Sequence, residues 1–375
     1  MKQTIDIVIN QYLIAKWPVL SKVPMWAYYL LWMLIIGAII LGVASLIAGI
    51  ASWVERRVAG RMQSRIGPNR VGPIGFFQWI ADGLKCLFKE DVTPTNVDWP
   101  LFRFAPYLVF IGMFGAWAVL PYSARIYAAD LNVGILYIMA ITSLVVIGIL
   151  MGGWASGNKW SLFGAIRSSA QIVSYEVPAG LAVTTMILVS GTMSMQGMVK
   201  AQTGPLGIFG WNIFNNPFTC IAFFVYFIAA IAEGNRTPFD LPEAESELVA
   251  GYNTEYSGMR FVFFFFAEWA NMFLIGAVSA TLFFGGWQGP FANPDTWWGV
   301  TIGGAYFFGK ACFFIFVLIW IRWTLPRLRV DQLMAMCWKY LVPIGFVCLI
   351  GSLLWMSIFG NRIFFGLISA VATGM

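Results

Sequence analysis

Eight windows of about 20 residues, charge-free or nearly so, recur along this chain of 375 residues. A helix needs an apolar stretch of that length to cross the hydrocarbon core of a bilayer. The fifth window is the shortest and begins at Pro217, directly after two asparagines. The sequence therefore predicts an all-α integral membrane protein, a single polytopic domain over residues 1–375 with about eight transmembrane helices. The predicted spans are approximately 27–53, 105–122, 134–154, 171–190, 217–232, 261–284, 305–323 and 340–359.

The residues that are missing exclude several classes of function. The chain is 59% hydrophobic and 11% charged, which lies outside the range of soluble globular domains. It has no histidine, and its five cysteines are scattered singly, without the spacings of haem, zinc or iron–sulfur sites. It also lacks the phosphate-binding glycine motifs of nucleotide sites. We therefore expect no metal site and no redox centre in this chain, and any proton carrier must be Asp, Glu, Lys, Tyr or water.

Lysine and arginine are distributed unevenly between the two sides of the predicted bundle. Sixteen lie in loops on one side and six on the other, while Lys310 lies within a span. The positive-inside rule places the richer side in the cytoplasm or its equivalent, with both termini outside. Loops 55–104 and 233–260 then lie on the inner face.

Loop 233–260 carries six acidic residues between two strongly apolar runs. Its two prolines stop the preceding helix from running on smoothly. A helix that started at the second proline would place Glu243 and Glu247 on one face. Like charges at that spacing destabilise each other unless they are protonated or pair with Arg236 or Arg260. The pattern supports a hypothesis of proton handling at the membrane surface.

Loop 55–104 changes character along its length. Its first part is basic and is broken by two Gly-Pro pairs, which predicts an irregular chain folded back on itself. From Ile74 onward, apolar residues recur every three or four positions, with charged residues such as Asp82 and Lys85 between them. This spacing predicts an amphipathic helix that lies in the membrane interface. Such a helix either roofs a cavity entered from the lipid or simply anchors the loop.

Ionisable residues inside predicted spans are costly and are therefore candidates for function. Glu176 lies about five residues into the fourth span and Glu268 about 10 Å into the sixth, at 1.5 Å per residue. Pro178 has no N–H to donate to the Ser174 carbonyl, which leaves that acceptor open to water or a proton. Each carboxyl either faces water or a partner, or is a neutral acid hydrogen-bonded to another helix. Lys310 is either a counter-ion of one of them or part of a pathway.

Several long motifs resemble, in order, the signature segments of one family. The motifs are ERRVAGRMQSRIGPNRVGP, ADGLK with the following KED, WASGNKWSLFGAIRSSAQIVSYEV, AEGNRTPFDLPEAESELVAGYNTEYS and WIRWTLPRLRVDQLM. From the first span to the last, the chain is similar to the family of membrane subunits of respiratory complex I that join the peripheral arm to the membrane arm, called the H subunit in bacteria and subunit 1 in mitochondria.

The resemblance implies about eight transmembrane helices and a quinone chamber where the subunit meets the peripheral arm. Some relatives have a further glutamate where this chain has Ser143. The residues implied to line the quinone passage are Arg56, Arg65, Asp82 and Lys85. The residues implied to form a proton-coupling track are Glu176, Glu233, Arg236, Asp240, Glu243, Glu245, Glu247, Glu255 and Glu268.

The implied function is that of a non-redox subunit in a proton-translocating NADH:quinone oxidoreductase, where quinone reduction is linked to proton translocation. Quinone is the substrate, this chain binds no cofactor, and NADH, FMN and iron–sulfur clusters belong to partner subunits. The implied partners are peripheral-arm quinone-site and iron–sulfur subunits, small membrane-arm subunits and the lipid bilayer, without nucleic acid. The implied location is a bacterial inner membrane, with multiple passes.

Three alternatives remain open on the sequence. Membrane hydrogenases and other dehydrogenases contain related subunits. A secondary cation/proton transporter would favour inverted repeats with paired broken helices, and the sequence shows no such symmetry. A purely structural anchor would leave Glu176, Glu268 and the acidic loop without a role.

Overall fold

The structure is a computed structural model and describes residues 24–203, 210–241 and 249–359. All regular elements within those ranges are helical. Within those ranges, seven helices are long and apolar enough to cross a membrane. The predicted all-α membrane protein is thereby confirmed. In chain order the helices are α1 (Met25–Met62), α2 (Gln78–Phe88), α3 (Trp99–Trp117), α4 (Gly134–Ala155), α5 (Lys159–Ser190), α6 (Met195–Ala201), α7 (Pro217–Glu233), α8 (Gly258–Phe283), α9 (Trp297–Thr324) and α10 (Val330–Phe359).

The predicted fifth span corresponds to α7, which is apolar but has only 17 residues. It begins with a capping box, in which the Asn216 side chain accepts from the Thr219 N–H and Thr219 accepts from the Asn216 N–H. This cap satisfies backbone donors that the first turn leaves without partners. The asparagines that blurred the start of the span in the sequence are thus the signal that begins the helix.

Several helices run beyond the predicted spans. A span window stops at the first charged residue, but helical hydrogen bonding continues past it. Helix α1 continues to Met62, so Arg56 lies on a helix and not in the irregular loop predicted for it. Helix α5 begins after its N-cap Asn158, and Glu176 lies near the middle of its 32 residues. The depth of Glu176 in the fourth span stays a prediction, because the start of a helix does not fix where the membrane begins.

The chain divides into two compact units at the boundary between Leu46 and Ile47, which falls inside α1. In the second unit, α4 packs against α3 and α5, α5 packs against α7 and α10, and α8 packs against α3 and α9. The last part of α1, the chain that follows α7 and the last part of α9 meet through Glu55, Arg236 and Arg322 at one end of this unit, here called the basic end. The single polytopic domain stays a prediction.

Small residues let α3 and α4 approach closely. A side chain at Gly148 would meet the Val109 side chain and the Ala105 carbonyl, and one at Gly112 would meet the Ile141 carbonyl. Close backbone approach at small residues is how helices associate where lipid removes the hydrophobic driving force. The close contact holds α4, and with it Thr142 and Ser143, in a fixed position beside α5.

The predicted amphipathic helix is observed as α2, although it starts at Gln78 and not at Ile74. Ile74 itself has a positive φ of 58° and belongs to a short 3-10 turn. Leu84 and Leu87 remain 50% and 56% exposed. An amphipathic helix with its apolar side chains uncovered is suited to the membrane interface, and that placement stays a prediction.

Candidate functional site

Four charged side chains form an ionic network at the basic end. The Arg236 Nε lies 3.1 Å from Glu268 Oε1, and its Nη1 lies 3.6 Å from Glu55 Oε2. Arg322 Nη1 donates to Glu55 Oε1 at 2.6 Å. Glu55 and Arg236 are 5% and 2% exposed, so water does little to stabilise either charge. The two guanidiniums and two carboxylates balance in charge, and loss of Arg236 would remove a partner from both buried carboxylates.

The chain that follows α7 carries Arg236 and Asp240 and is fixed to two neighbours. The Arg236 guanidinium lies over the Trp269 ring, 4.7 Å from its centroid. Arg327 Nη2 donates to Asp240 Oδ2 at 3.0 Å, and the Leu328 N–H donates to a carbonyl of the same chain segment, also at 3.0 Å. The segment therefore holds Arg236 in place from both sides, through α8 and through the chain that leaves α9.

A small polar cavity lies among α4, α5, α7 and α8. Its volume is about 40 Å³, and Glu176, Glu233, Thr142, Tyr226 and Asn271 contribute its polar lining. A polar cavity of that size has room for water. Two carboxyl groups around a space that admits water form a place where a proton can be taken up and passed on.

A hydroxyl donor orients one of the two carboxyl groups in this polar cavity. Ser143 Oγ donates to Glu176 Oε1 at 2.6 Å. Ser143 lies on α4 and Glu176 on α5, so the hydrogen bond joins the two helices. Ser143 thus supports the Glu176 carboxyl group by hydrogen bonding.

A third group joins α1 to α2. Arg56 Nη1 donates to Asp82 Oδ2 at 2.5 Å, Gln78 donates to Asp82 Oδ1 at 2.8 Å, and Lys85 Nζ lies 3.6 Å from the same oxygen. Partial burial opposes ionisation of Asp82, but the hydrogen bonds from Arg56 and Gln78 and the nearby positive charges outweigh it, so its pKa is lowered. Asp82 is therefore an anion that fixes α2 to the end of α1.

The ionic network and this third group are adjacent in sequence. Glu55 and Arg56 are consecutive residues of α1, and successive helix positions point about 100° apart. Glu55 reaches Arg236 and Arg322, whereas Arg56 reaches Asp82. The end of α1 thus separates a surface that leads to α2 from the charged interior of the basic end.

The sequence model of a family described as NADH dehydrogenase matches residues 34–353. This chain belongs to the NADH dehydrogenase family. The NADH-quinone oxidoreductase H subunit of Anaeromyxobacter dehalogenans is 51% identical over 350 residues, which cover 89% of this chain and 84% of the relative. The H subunit of Chlorobium luteolum is 49% identical over 308 residues, covering 80% and 83%. That of Thermomicrobium roseum is 46% identical over 326 residues, covering 83% and 92%.

The residues that match the model of the NADH dehydrogenase family include every residue of the ionic network, the polar cavity and the Arg56–Asp82–Lys85 group. The resemblance seen in the sequence motifs is confirmed. Of the four residues assigned to a quinone passage, the structure brings three together and leaves Arg65 apart. Arg65 follows the end of α1, is exposed, and donates to Gln63 Oε1 at 2.6 Å.

The acidic residues expected to form one track occupy separate places in this family member. Glu176 and Glu233 share the polar cavity and Glu268 belongs to the ionic network, while Glu255 accepts from Asn158 Nδ2 at 2.6 Å. The helix predicted to start at the second proline of the loop falls in 242–248, outside the described residues. That segment contains Glu243, Glu245 and Glu247.

Two arginines were offered as partners for the acidic loop, and each has other partners among the described residues. Arg236 pairs with Glu55 and Glu268 as described. Arg260 Nη2 lies 3.0 Å from Asp91 Oδ2, which ties the start of α8 to the chain after α2. The loop is therefore held by the arginines, although through carboxylates that lie outside its central acidic part.

The Ser174 carbonyl, which Pro178 leaves without a helical donor, is not open to water as expected. The Cys337 thiol donates to it at 3.0 Å. Cys337 lies on a π-helical turn in α10, Met336–Leu341. Such turns reposition side chains relative to an α-helix, and here one brings a donor to the exposed acceptor of α5. Within the described parts of the chain, no group of three or more His, Cys, Asp or Glu side chains gathers that would hold a metal ion.

Lys310 lies among backbone carbonyls at the end of the molecule opposite the basic end. Its Nζ donates to the carbonyls of Phe284, Gly286 and Gln288 at 2.7, 2.9 and 2.7 Å. It also lies 4.3 Å from the centroid of the Trp211 ring. The three N–H donors of an ammonium group are matched by three acceptors. The expectation of a carboxylate counter-ion is not met among the described residues.

Glu55 and Arg322 are central to the ionic network, and the sequence analysis did not single them out. Both stand at the end of an apolar run, where a charge ordinarily marks the point at which a helix leaves the membrane. A sequence does not show whether such a charge turns toward water or toward another helix end. The sequence offered one signal for this pair. Glu55 and Arg322 carry opposite charges, and each ends an apolar run on the same predicted side of the membrane.

Proposed function

We propose that this chain is the quinone-chamber and coupling subunit of a proton-translocating NADH:quinone oxidoreductase. The observation that carries the proposal is the ionic network, because it lies next to the Arg56–Asp82–Lys85 group on one side and contains Glu268 on the other. The names of the relatives support the same assignment. Charge that arises at one of these places is felt at the others, because Glu55 and Arg236 are buried and little screened by water.

Quinone binds in this proposal at the side of α1 that faces α2. Lys85 is 72% exposed at its side chain and keeps donors that a quinone carbonyl can accept. Arg56 supplies a second cation there, and Asp82 holds both. Reduction of a quinone to a quinol takes up two protons, and the negative charge that precedes their arrival attracts these cations.

The attraction is transmitted through the pairing of Glu55. When a negative charge draws on the arginines around Glu55, the carboxylate loses part of the charge that balances it. A buried carboxylate that has lost part of its balancing positive charge gains a proton or attracts another cation. Arg236 is shared between Glu55 and Glu268, so a shift of Arg236 toward Glu55 leaves Glu268 with the same requirement.

The polar cavity is the next proton-holding place in the proposal. Gln171 joins the two regions, because its Nε2 donates to the Ala232 carbonyl and to Asn235 Oδ1, at 2.7 and 3.2 Å, next to both Glu233 and Arg236. A rearrangement of Arg236 therefore acts directly on the end of α7 that carries Glu233.

The redox chemistry belongs to partner subunits in this proposal. Quinone is the substrate, while NADH, FMN and iron–sulfur clusters are bound by subunits of the peripheral arm that cover the basic end. Small membrane-arm subunits adjoin the helices. The chain lies in a bacterial inner membrane, with the basic end inside and both termini outside.

The Glu176→Gln substitution tests the proposal. Glutamine keeps an acceptor for Ser143, so we expect the complex to assemble but to reduce quinone at least tenfold more slowly, while electron acceptance from NADH by an artificial acceptor is unchanged. A matched control, Ser143→Ala, removes only one hydrogen bond and should slow quinone reduction by less. Equal loss of both activities in Glu176→Gln would indicate failed assembly and would remove this support.

Purification of the chain with its natural partners tests which electron donor serves the complex. Extraction from the native membrane in mild detergent should yield flavin and iron–sulfur subunits together with NADH-driven quinone reduction. A hydrogenase module without NADH activity would contradict the proposal.

A further inference from the structure

An apolar groove of about 650 Å³ runs between α7 and α9, apart from the charged groups described above. Its floor is made of aromatic rings, with Phe227 and Phe284 at 5.6 and 5.2 Å from Phe314 between ring centroids. Phe314 and Phe227 are only 4% and 8% exposed. Its walls are open, because Phe224 and Phe313 are 57% and 61% exposed. The groove therefore has a fixed, dry floor and faces outward between the two helices.

The groove is elongated along the helices and closed at the basic end. Its lining residues on the α9 side run from Phe313 to Leu325, a length of about 18 Å at 1.5 Å per residue. Pro238, Phe239 and Leu328 close it at the basic end. It is therefore an elongated apolar channel, open to the surroundings of the helices along its length.

Positive charge stands at the closed end. The groove ends at Leu328, and the next residue, Arg329, is exposed. Arg327, on the other side of Leu328, is occupied by Asp240. No carboxylate of the described residues lies within ion-pair distance of Arg329. An apolar channel thus ends beside a cation that keeps its donors.

We propose that this groove is a phospholipid site, which takes one acyl chain of an anionic phospholipid and holds its phosphate at Arg329. An apolar lining next to a basic residue on the side richer in lysine and arginine matches both parts of such a lipid. The proposal does not depend on the function assigned to the ionic network.

The lipid would support the segment that carries Arg236. Pro238 and Phe239 form the closed end of the groove and also lie between Arg236 and Asp240 in sequence. The Pro238 carbonyl accepts from the Leu328 N–H at 3.0 Å, which joins the two walls of the closed end. An acyl chain packed there fills the space behind this hydrogen bond and limits movement of the segment.

Photolabelling tests the site on the intact complex, purified with its partner subunits and placed in nanodiscs. The probes are phosphatidylglycerol and phosphatidylcholine, each with a diazirine in the acyl chain, and labelled peptides are quantified by mass spectrometry. We expect phosphatidylglycerol to label α7 and α9 at groove residues more than phosphatidylcholine does. Arg329→Gln should lower groove labelling by phosphatidylglycerol about fivefold, since one basic residue contributes about 1 kcal/mol toward an anionic lipid surface, and Arg329→Lys should retain it.

A second pair of variants tests the channel itself. Val317→Trp places a ring in the groove and should lower labelling there by both lipids. Phe316→Trp changes the neighbouring residue, which does not line the groove, and should leave labelling unchanged. Equal labelling by the two lipids with no effect of Arg329→Gln would overturn the proposal. Crosslinks from groove residues to a partner subunit, or loss of lipid labelling when long-chain quinone is added, would overturn it in favour of a helix or of quinone.

Discussion

The two ends of the molecule are held together by different chemistry. At the basic end, carboxylates and guanidiniums pair across α1, α8 and α9. At the opposite end, neutral amide side chains bind backbone carbonyls. Gln202 donates to the Thr281 carbonyl at 2.8 Å, Asn212 to the Leu282 carbonyl at 2.9 Å, and Gln196 to the Ser123 carbonyl at 2.8 Å. Lys310 and Arg125 are cations of this end, and both donate to backbone carbonyls as well.

The difference separates a region that responds to charge from a region that does not. A backbone carbonyl has a fixed partial charge, so the contacts of the opposite end stay the same when protons move. A carboxylate changes by a full charge when it binds a proton, and buried pairs change partners in consequence. The basic end is therefore suited to coupling, and the opposite end to fixing the helices against which coupling occurs.

The largest effect is expected from Arg236→Gln. It leaves Glu55 paired with Arg322 and removes the arginine that pairs with Glu268, and breaking a buried pair in this way costs about 3–5 kcal/mol. We expect the complex to lose thermal stability and quinone reductase activity together. Arg327→Gln is the matched control, because its side chain is 37% exposed and its pair is worth less. Equal loss in the two variants would mean that burial of the ionic network does not matter.

Lys310→Met should give a smaller effect of a different kind. It removes the donor of three carbonyls, but these hydrogen bonds are only part-buried. Water can therefore replace the donor at some of them, and the cost is about 1–3 kcal/mol for a carbonyl that water does not reach. The loop also needs Gly285 and Gly286, whose φ values of 71° and 50° let the chain place the carbonyls of Phe284, Gly286 and Gln288 around the ammonium group. We expect a lower melting temperature with an unchanged pH profile of quinone reduction. A shifted pH profile would instead make Lys310 part of a proton pathway and would remove the contrast between the ends.

The smallest effect is expected from Asp82→Asn, which loosens α2 from α1. Its carboxylate is partly exposed, so the pairing is worth at most about 1 kcal/mol, or about fivefold faster amide exchange across Gln78–Phe88. The pKa of Asp82 lies below its ordinary value of about 3.9. Its contribution is therefore fully present above the pKa of the unfolded chain and is lost as the pH falls through the folded-state pKa.

Hydrogen–deuterium exchange at several pH values measures that contribution. The variant and the parent protein should differ at neutral pH and converge in acid, below about pH 4. Glu90→Gln, in the exposed chain after α2, is the control and should show no difference. A constant difference at all pH values would mean that the substitution acts through packing and not through charge.

Hydropathy was sufficient to predict the helices, because a bilayer admits few other structures. It was also sufficient to identify Glu176 and Glu268, since a carboxyl within an apolar run needs a partner. Hydropathy did not predict which residues are the partners of these carboxyl groups. Ser143 supports Glu176, and Cys337 satisfies the carbonyl that Pro178 releases, through contacts between helices that are distant in sequence.

Residues near helix ends were the hardest to predict. Glu55 and Arg65 lie ten positions apart at the same end of α1, and both stand among basic residues. Glu55 lies on the helix and turns inward, whereas Arg65 follows the end of the helix and turns to the surface. Charge patterns alone do not locate the end of a helix to within one turn, and that turn decides which residues are buried.

The consecutive placement of Glu55 and Arg56 has a consequence for how far a signal must travel. One residue belongs to the buried pairs around Arg236, and the other binds Asp82 on the helix proposed to meet quinone. Their α-carbons are about 3.8 Å apart, joined by a single peptide unit. An electrostatic change on either surface of α1 therefore reaches the other over one covalent step, without a displacement of any helix along the membrane.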